Sequence, residues 1–445
     1  MAVIDGEILS RADAAWLHAD TATNHFVVTS LSLLESPVDF ERFKAMLGSR
    51  ISMHPRLRQL VLDPSVPFAP QRWIEDRNFD LDAHLHRAAL PAPAGPAELS
   101  AFVGDLVGRP LDFSRPLWEI HVVEGPGDGG ALVGRLHHSL GDGQAMVRML
   151  LTLTDETANG WKRPPGHGRR AKRAPLGDGR SAVTRLLDEL PSAGSLARDA
   201  VAGVAALTRI TLFDPDQPTP LRGDLTLLKA VAWTEPIPLP AVKEIARASG
   251  TTVNDVIMSV VAGGLGEYLR SAGVDTGGKR IRAMVPVNMR PAHDTSMTGN
   301  RFSLVYVELP VGVQDAWERL MRVKIEMDRI KSSQEALVGW LLVQSLGLLP
   351  ARLERLASSY YAGKASLVLT NVIGPRKRIF MAGVPVRQMT FWEPESGGLG
   401  IGISIYSYAD EITVGVVSDR NLVARPDRVT AAVMRAFAAL TQESS

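Results

Sequence analysis

The run Arg135-Leu136-His137-His138-Ser139-Leu140-Gly141-Asp142-Gly143 concentrates more potential chemistry than any other stretch of this chain. Only 10 histidines occur among 445 residues, so an adjacent pair at a turn is not compositional noise. Imidazole is the side chain whose ordinary pKa suits proton transfer near neutral pH. An apolar strand leads into the pair, and successive strand residues point to opposite faces. One histidine can therefore face a cleft while its neighbour packs inward. Asp142-Gly143 opens a helix whose N-terminal partial positive charge is expected to disfavour imidazolium and keep a base neutral. The plainer reading makes Asp142 a helix N-cap, Gly143 a turn glycine and both histidines hydrogen-bonded strand residues.

Other chemistries find little support. The chain has no cysteine, which removes disulfides, thiolate metal sites and thiol nucleophiles together. GxSxG, Walker A and HExxH patterns are absent, and Gly397 to Gly402 lacks the spacing of a dinucleotide fingerprint. A chain that is 45% hydrophobic and 22% charged is not disordered. Its 49 basic and 48 acidic side chains give no electrostatic case for a nucleic-acid partner.

The elements that would carry the histidines alternate between strand and helix. Strand-like runs cover 26–35, 118–124 and 131–137, the last two forming a hairpin, and helical spacing covers 40–51, 97–107 and 143–153. After a Pro, Gly and Arg-rich segment at 161–180, read as an exposed linker, the mixture resumes. Helices are predicted at 239–249, 253–270, 315–330 and 428–440. Strands are predicted at 225–233, 281–287, 301–309, 365–372, 386–392, 399–407 and 411–418, with a turn at Ala409-Asp410. The expected architecture is α/β with two domains of mixed sheet flanked by helices: residues 1–180, a linker or crossover helix at 181–224, and residues 225–445.

His137, His138, Asp142 and Gly143 fit the pattern HHxxxDG and resemble the acyltransferase superfamily with chloramphenicol acetyltransferase-like folds. Further segments look like the bacterial wax ester synthase/acyl-CoA:diacylglycerol acyltransferase family, in the expected order along nearly the whole chain. They are Leu9 to Asp13, Trp73 to Leu85, the PLW segment Pro116-Leu117-Trp118, Pro286 to Arg290, Asn254-Asp255, and Asn371 to Pro375 with Gly374. The DFGWG signature of plant relatives is missing.

The resemblance implies two chloramphenicol acetyltransferase-like domains with the active site in a tunnel between them. It implies direct transfer of a fatty acyl group from acyl-CoA to diacylglycerol or a long-chain alcohol, giving triacylglycerol or wax ester. Acyl-CoA is then a substrate, and no cofactor or metal is expected. By that analogy His138 is the general base, His137 its inward neighbour, and Asp142 a structural acid paired with an arginine, for which Arg290 is the candidate. Asn254 either donates to the oxyanion or caps a helix with Asp255. Pro116, Leu117 and Trp118 either line a substrate pocket or pack a strand. Asn371 and Gly374 shape a turn near the site. A different acceptor, polyketide-derived or carrier-bound, and a non-catalytic lipid-binding protein are the alternatives.

Residues 336–356 are apolar around much of a helix, which fits a core helix, the wall of an acyl tunnel or contact with a membrane surface. The apolar run is shorter than the roughly 20 residues of a spanning helix, and no signal peptide is evident. A cytoplasmic protein is expected, with peripheral contact to the inner membrane face or lipid inclusions.

Overall fold

The computed structural model describes residues 6–62, 71–125, 127, 129–160, 214–289, 300, 302–346, 357, 359–395 and 398–443. The expected linker at 161–180, most of 181–224, Arg290 and residues 347–356 lie outside them.

Period-two burial builds the first sheet. Along β2 (Val27–Leu34), Val28 and Leu34 enter one core while Leu31 and Leu33 enter another, so both faces of the strand are covered. β2 pairs antiparallel with β7 (Gly130–His137), which pairs with β6 (Trp118–Glu124), and β5 (Leu85–Ala89) adds parallel at the edge. Helices α2 (Phe40–Arg50) and α4 (Gly143–Leu153) lie on the first face through Phe43, Leu47 and Met149. Helix α3 (Pro96–Val107) covers the second face through Leu99, Val103 and Leu106. The amphipathic spacing read at 143–153 is the helix observed there.

The second sheet orders its strands β11-β10-β12-β15-β16-β8, with β9 also on β16. They span Phe302–Leu309, Ile281–Asn288, Leu367–Ile373, Ile401–Tyr408, Glu411–Asp419, Lys229–Trp233 and Ile237–Pro238. β15 and β16 form the expected hairpin, with Ala409 and Asp410 at φ 47° and 61°, as a two-residue type I′ turn requires. The core of this half is built around α6 (Val253–Ser271), which is buried on every side from Asp255 to Gly266. It is packed by α5 (Leu239–Ser249), α7 (Ala316–Lys331) and α9 (Pro426–Glu443). A small third sheet joins β1 (Glu7–Ile8), β4 (Arg72–Glu75) and β3 (Gln59–Leu62).

The sheets do not follow the division expected at residue 225. Strand β14 (Val384–Trp392), with β13 (Phe380–Met381) beside it, belongs to the first sheet and pairs antiparallel with β2. The second half of the chain thus lends two strands to the first, and the connection from β14 to β15 crosses between the halves. Trp392 anchors that crossing: it is 1% exposed, donates from Nε1 to Ala232 O at 3.3 Å, and meets Trp233 edge-on. The expected strand at 225–233 begins only at Lys229.

Of the apolar segment at 336–356, the described part is helix α8 (Glu335–Leu346). Its buried Val338 shares a cluster with Met284, Tyr306 and Val368, while Leu337 and Leu341 are exposed. No helix among the described residues is long and apolar enough to cross a membrane.

Candidate active site

β7 ends at His137, a single 3-10 turn covers His138–Leu140, and Asp142 caps α4 by accepting from Ala145 N at 2.9 Å. Backbone bonds pin the turn from both sides: His137 N donates to Leu117 O at 2.9 Å and His138 N to Phe26 O at 2.8 Å. The strand alternation then separates the two rings.

His137 turns inward and is fully buried. Its Nδ1 meets Ser139 Oγ at 2.9 Å and its Nε2 lies 3.5 Å from Asp20 Oδ2. Burial pulls its pKa down, against the smaller upward pull of Asp20. It is a neutral structural histidine near pH 7.

His138 turns toward a cavity of about 110 Å³ between the two halves of the molecule. Helix α1 (Arg11–Ala19) sets Trp16 against its ring at a centroid distance of 4.9 Å, and Trp16 stacks in turn on Phe26 and Phe302. Asn300 ties the turn to α1: its Nδ2 donates to Asp13 Oδ1 at 2.7 Å and to His138 O at 3.0 Å. Asp13 is buried, and burial raises its pKa. Through Asp13, the segment Leu9 to Asp13 is tied to the histidine turn.

Across the imidazole, Nε2 of His138 lies 3.3 Å from Oε2 of Glu393, the residue that follows β14. Burial lowers the pKa of His138, but the hydrogen bond and charge of Glu393, with a smaller push from Asp142, outweigh it and leave it raised. The net shift runs opposite to the one expected from the start of α4, because of the Glu393 carboxylate. A carboxylate in contact outweighs the partial charge of a helix end.

The far wall of the cavity comes from the second sheet. On β12, Val368, Thr370 and Val372 face it in alternation, while Leu367 and Leu369 point into the core behind. Thr370 is 4% exposed, and its hydroxyl has no hydrogen-bond partner among the described residues. A second cavity of about 150 Å³ lies against the first sheet, walled by apolar side chains including Phe43, Leu132, Met146, Met149 and Leu150, with Val372 and Tyr406 of the second sheet closing it. The two cavities share Gly143, Val372 and Glu393. A Cβ at Gly143 would stand 3.1 Å from Val372 Cγ2, so the glycine keeps that junction open.

The remaining predicted residues separate into near and supporting positions. Asn371 lines the inter-domain cavity and donates from Nδ2 to Asn254 Oδ1 at 2.9 Å, so Asn254 stands behind it. Asp255 is buried in a capping box with Thr252, 2.9 Å from Thr252 N. Leu117 and Trp118 are core residues, Trp118 donating to Leu57 O at 2.8 Å and stacking on His84. The packing reading of the Pro116–Trp118 segment fits this placement, since none of the three borders either cavity. Gly374 holds the exit of β12, its N–H donating to Ser407 O at 2.9 Å, and a Cβ there would meet the Tyr406 ring at 2.4 Å. Glu393, Thr370, Trp16 and Phe302 are absent from the sequence-derived set. Alternation marks Thr370 once β12 is known to border the cleft, but nothing local marks Glu393.

Among the described residues, one group has the composition of a metal site: His86, Glu119 and His121, on β5 and β6. Glu119 there is already bonded to buried Arg135 and to His121, which hold its carboxyl down at about 2 against the opposing effect of burial.

Comparisons with known proteins bear on the family and the fold. The wax ester synthase/diacylglycerol acyltransferase catalytic domain matches residues 9–257, and the C-terminal domain of the same family matches residues 298–441. A Mycobacterium tuberculosis protein named as the diacylglycerol O-acyltransferase Tgs1 is 29% identical over 451 residues, 97% of this chain and 95% of its own. Another from the same species, named as a diacylglycerol O-acyltransferase, is 30% identical over 95% of this chain and 96% of its own. The solved wax ester synthase/diacylglycerol acyltransferase of Marinobacter aquaeolei superposes with a TM-score of 0.71 at 23% identity, covering 98% of this chain and 99% of that one. The first condensation domain of the calcium-dependent antibiotic synthetase superposes at 0.63 with 17% identity, over 100% of this chain and 97% of that domain. Two domain matches that together take in most of the chain place it in the wax ester synthase/diacylglycerol acyltransferase family.

Proposed function

We propose that this protein transfers a fatty acyl group from acyl-CoA to the hydroxyl of diacylglycerol or a long-chain alcohol, with His138 as general base. The observation that carries the reading is the position of His138 Nε2, on the wall of an inter-domain cavity that meets a second, apolar cavity at Gly143. The acyl chain takes the apolar cavity, whose methionines adapt to its length. The thioester sits at the junction, and the acceptor enters from between the domains.

The steps follow from the groups present. Nε2 takes the proton of the acceptor hydroxyl as its oxygen attacks the thioester carbonyl. The tetrahedral oxyanion lies on the β12 side, where the buried Thr370 hydroxyl is available to donate. Collapse breaks the carbon–sulfur bond, and the imidazolium returns its proton to the departing thiolate. A chain without cysteine has no thiol to hold the acyl group, in keeping with direct attack. Asp142 and His137 hold the turn rather than react. The exposed Leu337 and Leu341 of α8 offer a greasy contact for peripheral binding to a membrane or lipid inclusion.

The test is thiol release and ester formation from palmitoyl-CoA, with hexadecanol or dioleoylglycerol as acceptor, for the parent and His138→Ala. A loss on the order of 10²–10⁴ in kcat is expected. Equal turnover by both proteins overturns the base, and no turnover of any acceptor by the parent leaves a lipid-binding protein.

A further inference from the structure

We propose that Glu393 is a positioning residue of this site: its carboxylate, seated on His138 Nε2, sets the charge of the base and marks where the acceptor hydroxyl must enter. The inference rests on His138 being the base.

Glu393 is no surface acid that happens to drift near a histidine. Its side chain is 10% exposed, its Oε2 lies 3.3 Å from the one imidazole nitrogen that faces the cleft, and it borders both cavities. The short segment carrying it is fixed at each end. Before it, Trp392 is buried between the halves and bonded to Ala232 O. After it, Pro394 restricts the backbone, and Glu395 is locked by Lys229 Nζ at 2.5 Å and through its carbonyl by Asn24. A carboxylate held this rigidly presents a fixed charge to the imidazole.

The other described groups around the ring are few. Asp142 acts from the start of α4, while His137, at the end of β7, is shifted toward its neutral form by burial and faces Asp20. Asp13 on α1 reaches only the His138 carbonyl, through Asn300, and the ring's remaining neighbours Trp16 and Phe302 are uncharged. Among the described residues, Glu393 is the one acid in contact with the nitrogen that takes the proton.

Its consequence has a definite sign. A carboxylate on Nε2 favours imidazolium, so the free base appears only at higher pH than for an ordinary histidine. The acceptor hydroxyl must reach the same nitrogen, so it enters beside the Glu393 oxygen.

Two measurements test this on the full chain: a histidine NMR titration of His138, identified by its absence in His138→Ala, and the pH profile of kcat/KM. In Glu393→Gln the imidazole midpoint and the acidic limb both move to lower pH, and the rate at pH 6 relative to pH 8 rises several-fold. Glu393→Asp, which keeps the charge but retracts it, shifts both the same way by less, and it serves if the glutamine variant does not fold. Unmoved midpoints in a folded variant overturn the role of Glu393. Full ester formation by His138→Ala instead overturns the base, whatever the titration shows.

Discussion

Two neighbouring imidazoles in one turn are shifted in opposite directions because their environments differ. His137 is enclosed, and desolvation dominates it. His138 is also largely enclosed, yet a carboxylate on its Nε2 reverses the net direction. The same reasoning applies to Thr370. A buried hydroxyl without a partner costs about 1–3 kcal/mol of desolvation, and Thr370 carries one on the cavity wall, free to donate to a bound group. In the proposed reaction that group is the oxyanion. Thr370→Val preserves shape and removes the unpaired donor, so it is expected to lower kcat on the order of 10²-fold while leaving KM nearly unchanged and raising the melting temperature. Steady-state kinetics with a calorimetric scan check this, and an unchanged kcat removes Thr370 from the mechanism.

At the scale of elements, the site depends on segments whose local signals were of unequal strength. The turn at His137–Asp142 and helix α4 were legible because an apolar strand, an N-cap acid and a 3.6-residue stripe coincide within about 20 residues. The Ala409-Asp410 hairpin was legible for a similar reason. The sheet to which β14 belongs was not, because alternation fixes which face a strand buries but not its neighbour. Glu393 was hidden by the same gap: an acid beside a proline gains meaning only when β14 lies on β2 and brings it to His138. Helix α1, which supplies Trp16 and Asp13, was missed because a nine-residue helix carries little periodic signal. The β14–β15 crossing is held by a buried cluster, Lys229 with Glu395 and Asp419, each at most 4% exposed. Burial pushes the Glu395 carboxyl up to about 7 despite the opposing lysine. Lys229→Met would leave two acids buried without a cation and is expected to cost about 3–5 kcal/mol of stability. Urea unfolding monitored by tryptophan fluorescence measures it, and a loss below about 1 kcal/mol would show that the cluster does not clamp the crossing.

For the molecule as a whole, the proposed reaction gives the two cavities separate duties. One lies mainly between the first sheet and helices α2 and α4 and the other between the domains, so under that proposal chain length and acceptor identity are read by largely different walls. Substitution deep in the apolar cavity should therefore change acyl preference without changing acceptor preference. Met146 suits the test, being on its wall, partly buried, and one helical turn beyond the Gly143 junction. Phenylalanine there replaces a flexible thioether with a rigid ring, at a packing cost of about 1–3 kcal/mol or less. Met146→Phe is expected to lower kcat/KM for palmitoyl-CoA about tenfold relative to octanoyl-CoA, while the ratio of hexadecanol to dioleoylglycerol turnover stays constant. Because both ratios come from one enzyme preparation, a partly unfolded variant scales all rates together and cannot mimic the result. If the acceptor ratio moves and the acyl ratio does not, the apolar cavity holds the acceptor's chain, and the assignment of the two cavities is reversed.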